Sequence, residues 1–207
     1  MSSIKSPEVI RIIDRGGCVL YQCEAPSIKQ AISNAIAENI AIINVDLSYQ
    51  DLSFAEFDDG IFDNVSFQGA NLTGANLSET RLEGCDFSQC CMVASCVAYS
   101  YAMDCQFLFA EFAATDFTAA QLTRCVFSGP AVFNVDFAKL EVVDSSYLYD
   151  DQHENHMSLR PDLLRVAVGK YRYIANEENF YVNGSIQPTK NAFFGYVQRE
   201  LTGRKVI

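Results

Sequence analysis

Ala70-Asn71-Leu72-Thr73-Gly74-Ala75-Asn76-Leu77-Ser78 restates itself after five residues: a small residue, Asn, Leu, a hydroxyl residue, a corner, then the same again. Followed outward from Leu72 and Leu77, the phase runs back through Phe67, Phe62, Phe57, Leu52 and Leu47 to Ile42. Forward it runs through Leu82, Phe87, Met92, Val97, Ala102, Phe107, Phe112, Phe117, Leu122, Phe127, Val132, Phe137 and Val142 to Tyr147. A period of five belongs to neither a helix nor a plain strand, so the chain must turn a corner in each repeat and wind into a solenoid.

Two positions before each large residue stands a mostly small one, as in Val45, Ala55, Gly60, Ala70, Ala75, Thr80, Cys85 and Cys105. Residues two apart in extended chain point the same way, so small and large residues both face inward and the others face water. Each repeat is then one side of a polygon. Asp46, Asp51, Asn71, Asn76, Asp86, Asp116 and Asp136 fall between the inward pair, and Gly69, Gly74, Gly84 and Gly129 fall at corners, where they ease tight turns.

The tandem Ala-Asn-Leu repeats at residues 70–78 resemble the pentapeptide-repeat family, and the resemblance covers residues 42–147. It implies a mainly β fold: a right-handed quadrilateral β-helix with about 20 residues per coil and about five coils, a rod roughly 25 Å long at the spacing of neighbouring strands. Ala102, Pro130 and Gln50 depart from the pattern and predict local loosening.

Three segments follow. In residues 1–41, Val9-Ile10-Arg11-Ile12-Ile13 and Cys18-Val19-Leu20-Tyr21 flank the turn residues Asp14-Arg15-Gly16-Gly17 and predict a β-hairpin. Ser27 is the predicted N-cap of a helix whose face carries Ile28, Ala31, Ile32, Ala35 and Ile36, suited to cover the open end of a solenoid. Residues 42–147 are the array. Residues 148–207 predict a small mixed α/β cap or dimerisation element, with helices starting at Ser158–Leu164 and spanning Asn191–Leu201, strand character from Tyr171 to Val182, and a turn at Asn183-Gly184.

The net charge of −11 is unevenly placed. Residues 1–41 are neutral, residues 42–150 carry 16 acids against three bases, and residues 151–207 carry six acids against eight bases. Such a centre cannot hold nucleic acid through its phosphates, which demands Lys or Arg. It suits a basic protein surface. No basic stretch followed by an apolar run opens the chain, and no apolar run is long enough to cross a bilayer; a cytoplasmic protein with reduced cysteines and no membrane partner is expected.

No residue pattern calls for chemistry. Cys85, Cys105 and Cys125 occupy the small inward position, where a packing role is expected, and Cys90-Cys91 and Cys96 lack zinc spacing. His153-Glu154-Asn155-His156 holds both histidines and is expected to be a loop. Neither a nucleophile elbow nor a phosphate loop is present. The expectation is a protein that is not an enzyme and needs neither cofactor nor metal.

A 20-residue coil assigns every outward residue to a face. The face centred on Phe57 carries Glu56, Asp58, Asp59, Glu79, Asp116 and Asp136, and the next, centred on Phe62, carries Asp63, Glu83, Asp104, Glu141 and Asp144. The other two faces offer Tyr49, Phe54, Val93, Leu108, Phe109 and Phe133. The expectation is an acidic pair of faces for a basic partner and an apolar pair for another subunit, as in a homodimer. Some members of the resembled family, including those behind quinolone resistance, look like a DNA duplex to DNA gyrase. By resemblance this rod is a DNA mimic for a DNA-binding protein of the topoisomerase or nuclease class, carboxylates standing in for phosphates. The alternative is a structural or regulatory scaffold, phage-borne by a weaker resemblance of its N-terminal segment, recognised through Tyr149, Tyr171, Tyr173, Phe180, Tyr181, Phe193, Phe194 and Tyr196.

Overall fold

In the computed structural model of this chain, residues 8–150, 155–161, 163–168, 171–175, 179–182 and 185–188 are described. Strands β1 (Glu8–Ile13) and β2 (Val19–Ala25) pair antiparallel, and the Asp14 carboxylate closes their turn by accepting the Cys18 N–H at 2.8 Å. Helix α1 (Ile28–Ala37) starts at Ser27, whose hydroxyl accepts the Gln30 N–H. Its buried face, Ala31, Ile32 and Ala35, joins the core of the rod. Lys29 Nζ and Ser33 Oγ donate to the carbonyls of Ser53 and Glu56 at 2.6 and 2.7 Å, supplying first-coil acceptors that have no preceding coil to bond.

The rod is built from very short strands in register every 20 residues. Along one face, β3 (Ile42–Ile43), β4 (Ile61–Asp63), β5 (Arg81–Glu83), β6 (Tyr101–Met103) and β8 (Gln121–Thr123) pair parallel, Ile42 beside Phe62, then Leu82, Ala102 and Leu122. On the next face, Asp46, Ser66, Asp86 and Gln106 bridge in turn and lead into β7 (Gln106–Leu108) and β9 (Val126–Ser128). Two further columns, Asp51-Asn71-Cys91-Glu111 and Glu56-Asn76-Cys96-Asp116, complete the circuit. The coil is therefore four-sided, with faces named here for Ile42, Leu47, Leu52 and Phe57.

Every fifth residue from Asn44 to Gly129 turns the corner with positive φ, from +52° to +88°. Most of these are not glycine. The preceding Asp or Asn steadies many corners: Asp46, Asp51, Asn71, Asn76, Asp86 and Asp116 each accept the backbone N–H two residues ahead, at 2.9–3.1 Å. This local side-chain bond accounts for the carboxylates and amides between the inward pairs.

Inside, Phe67, Phe87, Phe107 and Phe127 form one stacked column with centroids 4.7–5.1 Å apart, the geometry aromatic rings favour. Buried Thr80, Ser95 and Ser100 donate to the carbonyls three residues back, so polar residues at the small position are satisfied.

The phase does not run unbroken to Tyr147. In β10 (Val142–Asp144) and β11 (Tyr147–Asp150), Val143 pairs with Leu122 and Leu148 with Phe127, a step of 21. Val142 is 38% exposed and Leu148 fully buried. The extra residue enters after Leu140, because Val132, Val135, Phe137 and Leu140 are still buried in phase; Pro130 reshapes its turn without shifting that phase. Ala70, Cys90 and Ala110 donate turn bonds to Phe67, Phe87 and Phe107; proline, with no N–H, cannot. The chain instead takes 3-10 turns at Pro130–Asn134 and Phe137–Lys139. Ala102 and Gln50, also expected to loosen the coil, leave it regular.

The end of the rod continues into β structure. Strand β12 (Asn155–Ser158) pairs antiparallel with β11, placing Asn155 and His156 in a strand rather than the expected loop; His153 and Glu154 lie outside the described residues. Strands β13 (Leu164–Val168), β14 (Tyr171–Ala175), β15 (Asn179–Val182) and β16 (Ser185–Pro188) form an antiparallel sheet. No helix starts at Ser158–Leu164: Pro161 sits in a turn, and Leu164-Arg165-Val166-Ala167-Val168 is rich in β-favouring residues. The cap expected to be mixed α/β is thus all β among the described residues, while Asn183-Gly184 and Asn191–Leu201 lie outside them.

The sheet closes the last coil. Gly129 N–H donates to the Tyr181 hydroxyl at 2.8 Å, Phe133 packs on the Tyr181 ring, and the fully buried Asp150 accepts the Ile186 N–H at 2.9 Å.

Candidate protein-binding faces

The corner geometry decides what each face shows. Because the residue before the large inward side chain and the two after it point outward, Glu56, Asp58, Asp59, Glu79 and Asp116 are exposed on the Phe57 face, with Asp136 half-buried. On the Ile42 face, Asp63, Asp104, Glu141 and Asp144 are exposed and Glu83 is half-buried.

All three bases of residues 42–150 stand on these same faces. Arg124, one coil beyond Asp104, grips it with Nε at 2.7 Å and a second nitrogen at 2.5 Å, and the guanidinium holds the Asp104 carboxyl below its usual range. Arg81 pairs with Glu83 at 3.2 Å. Asp116 is lowered chiefly by the hydroxyl and N–H of Thr118, with a smaller pull from Lys139. Eleven acids less three bases leave −8 on this pair of faces, against −4 from Asp46, Asp51, Asp86 and Glu111 on the other pair.

The compensating bases begin at Arg81 and run to Lys139. Glu56, Asp58, Asp59, Asp63 and Glu79 take part in neither of the ion pairs among the described residues, and with no base among them they leave −5 toward α1, against −3 from the six acids and three bases beyond. Sequence reasoning grouped these acids by face and missed their gradient along the rod. The twenty-residue separation of Asp104 and Arg124 was its available signal.

The apolar set divides. Tyr49, Phe54 and Phe109 are exposed, at 71, 72 and 51%, whereas Val93 and Leu108 are half-buried. Phe133 is half-buried against Tyr181, covered by the chain's own terminal sheet rather than offered to another subunit. The expected segregation of apolar from acidic faces is incomplete, because Ile61, Tyr99 and Tyr101 are exposed on the acidic side at 48, 59 and 55%.

Tyr101 separates two depressions. One, of about 410 Å³, is lined by Asp59, Glu79, Tyr99, Tyr101, Ala119, Gln121 and Glu141. The other, about 470 Å³, runs along the Ile42 face between Arg81, Tyr101 and Gln121 on one side and Glu83, Met103 and Thr123 on the other.

The four buried thiols, Cys85, Cys90, Cys105 and Cys125, are packing groups in this structure. Cys85, Cys105 and Cys125 are buried, free, and directed at backbone carbonyls. Burial pushes the Cys90 thiol up to about 12. Among the described residues no three His, Cys, Asp or Glu side chains converge to hold a metal, and no helix is long and apolar enough to cross a membrane.

Residues 51–89 match the family of pentapeptide repeats, in eight copies. Solved structures similar to the chain include the pentapeptide repeat protein Rfr23 from the cyanobacterium Cyanothece 51142, 15% identical over 40% of this chain and 56% of that one, with a TM-score of 0.39. Another is QnrB1, a plasmid-mediated fluoroquinolone resistance protein, 18% identical over 53% and 63% of the two chains, TM-score 0.33. A third is a pentapeptide repeat protein from the Arabidopsis thaliana thylakoid lumen, 24% identical over 37% and 60%, TM-score 0.23. The chain thus spans less than two-thirds of the length of each. No curated protein sequence matches it significantly.

Proposed function

From the premise that residues 51–89 are pentapeptide repeats, we propose that the chain acts by binding rather than by catalysis, presenting the Phe57 and Ile42 faces to a basic surface on a DNA-binding protein of the topoisomerase or nuclease class. The supporting observation is the run of exposed carboxylates Glu56, Asp58, Asp59, Asp63 and Glu79 that no basic side chain of the chain neutralises by an ion pair among the described residues. Such a strip substitutes for phosphates: it steers association with Lys- and Arg-lined grooves and competes with DNA for them.

The scaffold reading, in which terminal aromatics recognise the partner, has less support. Tyr173, Phe180 and Tyr181 are buried and Tyr149 is half-buried.

The test is capture from host lysate at low and high salt with the wild type and with Asp58→Lys/Asp59→Lys/Glu79→Lys. A DNA-binding protein retained at low salt, released at high salt, and lost to the charge-reversed variant while its circular dichroism stays unchanged is the expected result. Retention of the same partner by the variant overturns the acidic-strip reading. DNA competition on the captured protein, by supercoiling or cleavage assay, then establishes whether binding displaces DNA.

A further inference from the structure

The cleft between Tyr99 and Tyr101 has a chemistry that a bare strip of carboxylates lacks. Tyr99 stands at a corner with φ +60°, in the column of Asp59 and Glu79; Tyr101 stands two residues later in β6, in the column of Ile61, Arg81 and Gln121. The corner turns the two rings onto adjoining faces, and both remain more than half exposed. Between and beside them lie Asp59 and Glu79 toward α1 and Glu141 toward the terminal sheet, with Gln121 Nε2 donating to Glu141 at 3.0 Å. Lys139, further along the Tyr99 column, interacts with Asp116. None of the three carboxylates forms an ion pair among the described residues.

Resting on the acidic-strip reading and sharpening it, we infer that this cleft is an arginine anchor: it seats the guanidinium of an arginine presented by the partner protein. Guanidinium is planar, weakly hydrated and always charged, so it stacks on an aromatic face and reaches a carboxylate with its edge; an ammonium is a compact, strongly hydrated charge that does this less well. Tyr101 supplies a second feature. Its other side walls the groove lined by Met103 and Thr123, which accepts the aliphatic stem or the neighbouring residue of an extended segment. The charge strip then sets the rate and sign of attraction, and the tyrosine cleft sets the preference for Arg over Lys.

Two fluorescein-labelled nine-residue peptides, one alternating Arg and Gly and the other Lys and Gly, are titrated by anisotropy against the full chain. The wild type is expected to favour the Arg peptide by about fivefold, the size of one or two exposed cation–π contacts, and to keep that ratio as salt weakens both affinities. Tyr99→Leu/Tyr101→Leu should bring the ratio to about one while leaving Lys-peptide binding unchanged, and Tyr49→Leu, an exposed ring outside the cleft, should leave the ratio intact. Equal binding of the two peptides by the wild type, or a preference that survives the double variant, overturns the anchor. The acidic-strip reading still stands if Asp58→Lys/Asp59→Lys/Glu79→Lys abolishes binding of both; failure of both peptides to bind the wild type overturns both readings.

Discussion

The ring of Phe54 lies across Gly74, one coil further on, so closely that a Cβ there would stand 2.6 Å from the ring. Tyr49 covers Gly69 in the same way. Gly74→Ala therefore meets two penalties, a left-handed φ of +65° and a displaced Phe54, and should cost about 1–2 kcal/mol. Ala94 occupies an equivalent corner with φ +56°. There Ala94→Gly removes the left-handed penalty and adds an unfolded-state entropy cost of about 0.4–1 kcal/mol, so it should be neutral or stabilising. Urea midpoints of the two variants, shifted in opposite senses or with Ala94→Gly unmoved, check the pair. The inward positions were plain from sequence because the five-residue phase sorts large from small. The corner conformation was less so: Gly69 and Gly74 announced it, but Tyr49, Phe54, Tyr99 and Arg124 adopt it too, and nothing in an aromatic or arginine residue signals a positive φ.

At the scale of elements, each end of the rod is finished by donors and acceptors that take the place of a missing coil. Lys29 and Ser33 of α1 do so at one end, Tyr181 and Asp150 at the other. Tyr181→Phe keeps the ring against Phe133 but withdraws the acceptor from the buried Gly129 N–H, which should cost about 1–3 kcal/mol. Amide hydrogen exchange should show Gly129 losing protection before the Phe107 column does; unchanged protection would mean the hydroxyl is dispensable. The N-terminal finish was legible because a hairpin turn and a Ser-capped amphipathic helix are both local signals. The terminal sheet was legible only in part: the strand character read from Tyr171 to Val182 is realised in β14 and β15, whereas β13 and β16 were not foreseen. Pro161 near an apolar pair imitates a helix start, while the pairings of β13 through β16 depend on partners up to 11 residues away in sequence. The one-residue slip between Leu140 and Val143 likewise left no mark on the five-residue period, because Val142, the residue it turns outward, is as apolar as its neighbour Val143.

For the whole molecule, pH bears on stability through the corner carboxylates. Hydrogen bonds from Ser48, Ser53 and Thr118 hold Asp46, Asp51 and Asp116 below 3.8, and Arg124 does the same for Asp104. A carboxyl depressed by folding lends stability that is complete above its unfolded value and disappears as pH falls through the folded one. Stability should hold from neutrality to about pH 4.5 and decline below about 3.8. Asp51→Asn/Asp116→Asn should show a smaller drop in urea midpoint between pH 5 and pH 3 than the wild type; an equal drop would place the acid sensitivity elsewhere. The acidic faces were readable by counting in twenties, whereas the Tyr99–Tyr101 cleft required knowing which outward rings stay uncovered. One property of the winding reaches further. Since each side of the square ahead of Leu140 is five residues long, excising five there turns the downstream body by a quarter revolution about the rod axis, and excising twenty simply shortens the rod by one pitch, about 4.8 Å. Length and azimuth are thus separate dials, and the angle between the two end pieces is adjustable by deletion alone, without touching either.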